Sequence, residues 1–506
     1  MGNSNEQTFN SNNSNKNCQN NVTTTLFNVE NAEPQKHSYP KRIFLIVSME
    51  FCERFNFHGL NTILVLYLKN KLDFTENYAT MLYHTLVMMV FFTSIFGAIL
   101  SDVWLGRFKT ILCLSILYAI GSFIVSIGAI PGIAFSPEAA LYIGLILIAF
   151  GSGGIKPCVS AFGGDQFKLP EQNTQMTSFF SMYYSMIFVG ALISTPITPV
   201  LRSDVHCFGE DDCYSLAFGV PAMLMIISIL LFTIGKPSYT YVKPSSENML
   251  MKMLKCIWNA IIIKHREGKT NPRENLLDYS IEKYGTQLVH ETRIILKMLT
   301  LYLPLPLFWT LSFQPGSRWT FQANQMNGDL GFYTIKPDQI QMMESLFTLI
   351  FISLCEILIY PILSKIGIRR PLQKLTIGGI LMGTSFLLSA WVQFQIESMP
   401  MNSVSMLWQV PQYVLLSMAQ AIFDVTGLSF SYKEAPESMK SVVLSFWLLE
   451  VAMGNVILVI ISGLELFESR LYEFLFFSGI MFCGMCVFTV LAYNFEKFKK
   501  TKVLEF

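Results

Sequence analysis

The chain runs to 506 residues, with 52% hydrophobic and only 14% charged side chains and a mean hydropathy of +0.43. Soluble domains carry about 25% charged residues, so this composition excludes a chain covered by water and makes lipid the simplest solvent. A net charge of +1 offers no field for nucleic acid. The ten cysteines show no zinc-ligand spacing.

Residues 1–40 are dominated by Asn, Ser, Thr, Gln and Lys and hold no apolar run of the kind a signal peptide requires. They cannot bury enough apolar surface to offset ordering and are predicted to form a disordered cytoplasmic tail. Asn12-Asn-Ser14 and Asn21-Val-Thr23 match the glycosylation acceptor pattern, which a cytoplasmic location leaves unmodified.

A spanning helix needs about 20 mostly apolar residues, and about twelve stretches qualify. The first six lie near 43–66, 77–100, 109–129, 139–158, 177–200 and 215–234. The second six lie near 295–314, 342–364, 374–394, 408–430, 441–464 and 472–493. The expected fold is an all-α membrane protein with a six-helix bundle at 41–235, a polar linker at 236–293 and a second bundle at 294–495. Residues 496–506 form a cytoplasmic C-terminus. Within the linker, 249–264 reads either as an amphipathic helix at the inner interface or as plain connector.

Lys and Arg concentrate in alternate loops, which orients membrane chains. The tail holds Lys36, Lys41 and Arg42, and the second loop Arg107 and Lys109. The linker holds ten basic residues, the eighth loop Lys365, Arg369, Arg370 and Lys374, and the C-terminus four lysines from Lys497 to Lys502. The opposite loops are poor in charge or acidic, as at Glu210-Asp-Asp212. Both termini are therefore expected in the cytoplasm, and Cys207 and Cys213 in an outer loop where a disulfide can persist.

Ionisable side chains inside a span cost about 2.5–3.5 kcal/mol each at its centre, so they mark function. The first span holds Glu50, Glu53 and Arg54. Glu50 and Arg54 share a helix face at four-residue spacing, and the second acid leaves an unbalanced negative charge that a proton can neutralise. Lys156, closing Gly151-Ser-Gly-Gly-Ile-Lys156-Pro157, is the natural partner for the spare carboxylate. His84 lies in the second span and titrates near neutral pH. Gly97 and Gly106 around Asp102 permit a close helix approach and a tight turn, and Asp102 reads as a gate contacting a cation or a helix N-terminus of the opposite bundle. No HExxH or GxSxG is present, so no enzyme is expected.

These residues resemble the proton-dependent oligopeptide transporter family of the major facilitator superfamily, and within it the animal intestinal and renal di- and tripeptide carriers. The resemblance rests on Glu50-x-x-Glu53-Arg54, Asp102-x-x-x-Gly106-Arg107 and the run Gly151 to Phe167. It extends through Pro304-Leu-Pro-Leu-Phe-Trp309, Gly316-Ser-Arg-Trp319, Trp408 to Tyr413 and Phe430 to Pro436. It implies symport of small peptides with protons, which act as coupling ion with no other cofactor, in the plasma membrane and without an obligate protein partner. It further implies proton coupling by Glu50, Glu53, Arg54, His84 and Lys156, a pocket lined by Arg54, Tyr67, Lys156, Tyr184 and Trp309, and gating by Asp102 and Arg107.

The chain departs from that pattern at His58, Phe188, Lys297, Phe313, Glu344 and Gln420. Gln420 stands where the tenth helix usually carries the acid that receives the peptide amine. Glu344, in the eighth helix where an Asn is usual, is read either as the relocated acid or as a residue facing another helix. The large outer domain that animal carriers insert between helices nine and ten has no room in 395–407. Relatives of the fold also carry nitrate or other small anions, and a non-transporting nutrient sensor is a further alternative.

Overall fold

The computed structural model describes residues 40–133, 136–168, 171–242, 249–267, 273 and 275–503. The expected tail, with both glycosylation acceptor sites, lies outside the described residues apart from Pro40.

The first half contains α1 (Ile43–Asn70), α2 (Glu76–Ile99), α3 (Arg107–Gly128), α4 (Pro137–Gly164), α5 (Asn173–Ser203) and α6 (Tyr214–Ile234). The linker helix α7 (Met249–Glu267) follows. The second half runs through α8 (Ile281–Tyr302), α9 (Pro306–Ser312), α10 (Arg318–Ala323), α11 (Met342–Leu354), α12 (Tyr360–Lys365), α13 (Pro371–Ser398), α14 (Val410–Glu434), α15 (Lys440–Gly463) and α16 (Arg470–Val503). Most helices outrun the apolar stretches that predicted them, because their polar end turns extend beyond the hydrocarbon layer.

Nine helices among the described residues are long and apolar enough to cross a membrane, and two bent pairs each make one further span. α1 misses that criterion although it has 28 residues, because Glu50, Glu53 and Arg54 lower its apolarity. With α1 the spans reach the twelve expected. The seventh span is not the continuous helix read at 295–314. Its helix opens at Ile281, inside the stretch assigned to the linker, breaks at Gly285, whose φ is +81°, and bends again by 49° between Tyr302 and Pro306. Pro304 and Pro306 account for this bend, since a proline removes a helical donor and clashes with the preceding turn.

Each half has its own apolar core. One buried cluster draws on residues from Ile43 to Tyr239 together with Phe321, the other on residues from Met253 to Ala492. The halves meet where α2 packs on α15 and α5 on α11. Within the first half, α2 and α4 touch backbone to backbone. A Cβ on Gly97 would stand 2.3 Å from the Gly154 Cα, closer than any side chain fits. The run Gly151-Ser-Gly-Gly154 is therefore a packing surface that carries Lys156 inward at its end.

Candidate functional site

Glu50, Glu53 and Arg54 lie on α1 with 2%, 1% and 7% of their surface exposed. The single guanidinium serves both acids: its Nε is 3.0 Å from Glu50 Oε1, and a second ion pair joins it to Glu53. Ser152 on α4 donates to Glu53 Oε1 at 2.8 Å. Lys156 behaves differently from the expectation. It forms no ion pair with these carboxylates, and its Nζ rests 4.5 Å from the ring centroid of Phe57 and 5.5 Å from that of Phe91. Arg54 already satisfies both acids, so the lysine is held by aromatic faces, a cation–π arrangement. The four charges sum to zero, and Lys156 alone keeps its charge open to an incoming anion.

Phe91 on α2 carries this site across to the second half, where Phe313 lies 5.8 Å away centroid to centroid. Phe313 packs in turn near Trp309 on α9, whose indole N–H is buried with no acceptor. Glu344 and Gln420 meet directly: the Gln420 amide on α14 donates to Glu344 Oε1 on α11 at 2.9 Å, and Thr348 donates to Gln420 at 3.3 Å. Glu344 thus faces another helix, bonded to the side chain that stands where the amine-receiving acid was expected.

Two expected pocket or gate residues are placed elsewhere. Tyr67 packs inside the first half, its ring 5.1 Å from Tyr214 and 5.3 Å from Phe218, beside Lys71 and the Cys207 loop. Phe91, two turns past His84 on the helix that does border the second half, lies beside Lys156 and Phe313 instead. Asp102 does not reach the opposite bundle. It accepts from the neighbouring Ser101 hydroxyl and lies 3.9 Å from Arg107, which donates to Asp165 at 2.5 Å. The turn at Gly106, with φ of +76°, directs Arg107 back onto its own half, and the motif ties α2, α3 and α4 together. Tyr184 on α5 is 47% exposed and meets the Tyr183 ring edge-on, centroids 5.7 Å apart.

His84 is fully buried and bridges the halves. Its Nδ1 is 2.8 Å from Asn455 Oδ1 on α15 and its Nε2 2.9 Å from Ser317 Oγ. Asn455 turns its amide toward Val451 O, so Oδ1 is an acceptor and Nδ1 donates. A neutral imidazole then accepts from Ser317 at Nε2. Protonating it requires Ser317 to swing its hydrogen to Gln314 O, which lies 3.4 Å away.

Further ties surround this clasp at the end bearing the acidic loops. Arg318 on α10 donates to Asn77 on α2 and pairs with Glu473 on α16, each at 2.8 Å. Arg470 pairs with Glu76, which Lys69 also contacts. Arg202 on α5 makes two 3.0 Å bonds to the fully buried Asp338. Lys336 bonds Asp204 at 2.8 Å and, with Ser203, holds its carboxyl below the ordinary aspartate range. The Cys207–Cys213 disulfide is formed at the same end.

Two acids escaped the reading of the sequence. Asp424 lies one turn after Gln420 on α14, and Glu450 three residues after Trp447 on α15; each has a buried oxygen without a hydrogen-bond partner. Their signal was available, since both interrupt apolar spans.

A model of the POT family matches residues 108–466. Peptide transporter family 1 of Drosophila melanogaster is 34% identical over 653 aligned positions, covering 90% of this chain and 88% of the relative. Solute carrier family 15 member 2 of Rattus norvegicus is 32% identical, covering 92% and 91%. An in meso crystal structure of the POT family transporter PepTSo superposes with a TM-score of 0.81 at 25% identity, covering 91% of this chain and 99% of that one. The alignment with the fly relative exceeds the 506 residues of this chain, so the relative carries inserted sequence with no counterpart here. With a family model across well over half its length and relatives matched nearly end to end, this integral membrane chain belongs to the POT family of transporters.

Proposed function

We infer that this chain is a symporter that moves small peptides, of di- and tripeptide size, together with protons by alternating exposure of a site between its halves. The observation that carries the reading is the buried set Glu50, Glu53 and Arg54 beside a lysine without an ion pair. The relatives' names add peptide as cargo. The lysine offers its charge to a peptide carboxylate, and Glu344 offers its own to the amine.

A proton arriving at Glu53 frees Arg54 from one of its two acids without releasing it from Glu50. Arg54 then has charge to share with the substrate carboxylate next to Lys156. His84 stands in the clasp that shuts the acidic-loop end, and its protonation exchanges the Ser317 hydrogen bond from imidazole to backbone. Opening that clasp requires the Arg318, Arg470 and Arg202 ties to part as well. The excess of Lys and Arg at the other end supports a cytoplasmic location for both termini, and the disulfide suits an outer loop. The plasma membrane fits an inward carrier driven by external acid.

The test is uptake of a labelled dipeptide into proteoliposomes under an inward acid gradient, paired with counterflow at equal pH. Concentrative uptake and counterflow are expected. Saturable binding without counterflow would instead describe a sensor, and counterflow of nitrate in place of dipeptide would describe an anion carrier.

A further inference from the structure

Helix α7 has two apolar faces that point in opposite directions. Cys256 and Ala260 are buried under the turn Leu276–Ser280 and α8, against Leu277 and Val289, and Met253 on the same face joins the core of the second half. Ser280 fastens this face: its hydroxyl donates to Cys256 O at 2.8 Å and receives the Asn259 amide at 3.1 Å. On the far side Met251, Leu254, Trp258, Ile261 and Ile262 are all exposed. At 3.6 residues per turn they fall within an arc of about 100°. Trp258 stands at its centre, 66% exposed.

Exposed Lys255 and Arg266 border one side of the stripe and exposed Lys264 the other, while Glu267 is the helix's single acid. The helix packs on the turn Glu437–Met439 between α14 and α15, which places it against the membrane end that carries the basic loops. An apolar stripe centred on Trp and rimmed by cations is the form of a helix lying at the boundary of headgroups and acyl chains. The surplus of positive charge selects acidic headgroups.

We propose that the outer face of α7 docks onto the leaflet at the basic-loop end, with acidic phospholipid headgroups as its partner. The apolar stripe enters the acyl boundary, and Lys255, Lys264 and Arg266 engage the lipid phosphates and carboxylates. The surface is joined through Ser280 to the start of α8, the first piece of the bent seventh span.

The experiment uses the full chain with Cys18 and the exposed Cys113, Cys483 and Cys486 replaced by Ser and a spin label at Ile262→Cys. It is reconstituted in phosphatidylcholine vesicles with or without phosphatidylserine. Collision with oxygen and with a water-soluble nickel chelate reports the depth of the label. The label is expected within the acyl boundary, deeper when phosphatidylserine is present. Lys255→Gln, Lys264→Gln and Arg266→Gln should each weaken the preference for phosphatidylserine over phosphatidylcholine roughly fivefold, with dipeptide counterflow confirming that the variants are folded. A label in water in both vesicles overturns the docking, and a depth indifferent to headgroup charge and to these substitutions overturns the acidic partner. Disulfide-linked dimers formed through unlabelled Ile262→Cys would make a second copy the occupant and overturn it equally.

Discussion

Replacing Glu53 with Gln imitates the protonated carboxyl without altering its shape. At an effective dielectric of about 20, unit charges at the 3.0 Å spacing of Arg54 and Glu50 attract by about 5.5 kcal/mol. Glu50 alone therefore keeps Arg54 seated, and Ser152 can donate to the amide oxygen as it does to Glu53 Oε1. The variant should fold and bind peptide. What it loses is the alternation between charged and neutral states that ties peptide movement to a proton. In the unaltered chain, one charge falling through 100 mV releases about 2.3 kcal/mol, enough for roughly fiftyfold accumulation. Proteoliposomes with an acid exterior and a negative interior should show such accumulation of a labelled dipeptide. Glu53→Gln should stop at equal concentrations while dipeptide counterflow at equal pH persists. Concentrative uptake by the variant would refute the assignment, and loss of counterflow as well would make Glu53 a binding or folding residue.

Further outcomes follow from other contacts. Glu344→Gln should abolish dipeptide uptake, and adding Gln420→Glu should restore it, because the acid returns to the other end of the same 2.9 Å hydrogen bond; failure of both variants would remove Glu344 as the amine's partner. Gly97→Ala places a methyl 2.3 Å from the Gly154 backbone and should cost about 2–3 kcal/mol, seen as a melting temperature lowered by several degrees in detergent. An unchanged melt would show that α2 and α4 are not in backbone contact. Lys336 holds the Asp204 carboxyl below its ordinary value, so this contribution is complete above about pH 4 and disappears as pH falls through the lower folded value. The melting difference between the unaltered chain and Asp204→Asn should be flat from about pH 5 to 8 and close below about pH 4. Because Asp204 is partly exposed, that difference should stay under about 1 kcal/mol. A gap that widened in acid would reverse the sign of the argument.

The spans were legible because twenty apolar residues and alternating basic loops are properties of local sequence. Glu50 and Arg54 were legible for the same reason, since four-residue spacing puts them on one face of one helix. Lys156 was misjudged because spacing says nothing about a partner on another helix, where Arg54 had already engaged both acids. Glu344 and Gln420, 76 residues apart, came into view only through a resemblance to known carriers. Tyr67 was misplaced because one helix presents its faces to different neighbours, and a position along the chain does not say which. The break in the seventh span had its signal in Pro304 and Pro306, yet its hydropathy read as continuous. The clasp of His84 with Ser317 and Asn455 joins three distant segments, and no local pattern announces it.

The jointed seventh span affects the order of events during turnover. A rigid rod fixed at both faces would lift one seal in the same instant that it closed the other, leaving a moment when solution and ions run straight through. With a joint at Leu303–Leu305, α8 can swing toward the centre while Ser317 and Arg318 stay fastened to α2 and α16. Such a joint would let cargo be enclosed on all sides before release begins, so that the gradient driving accumulation would not be dissipated by leakage.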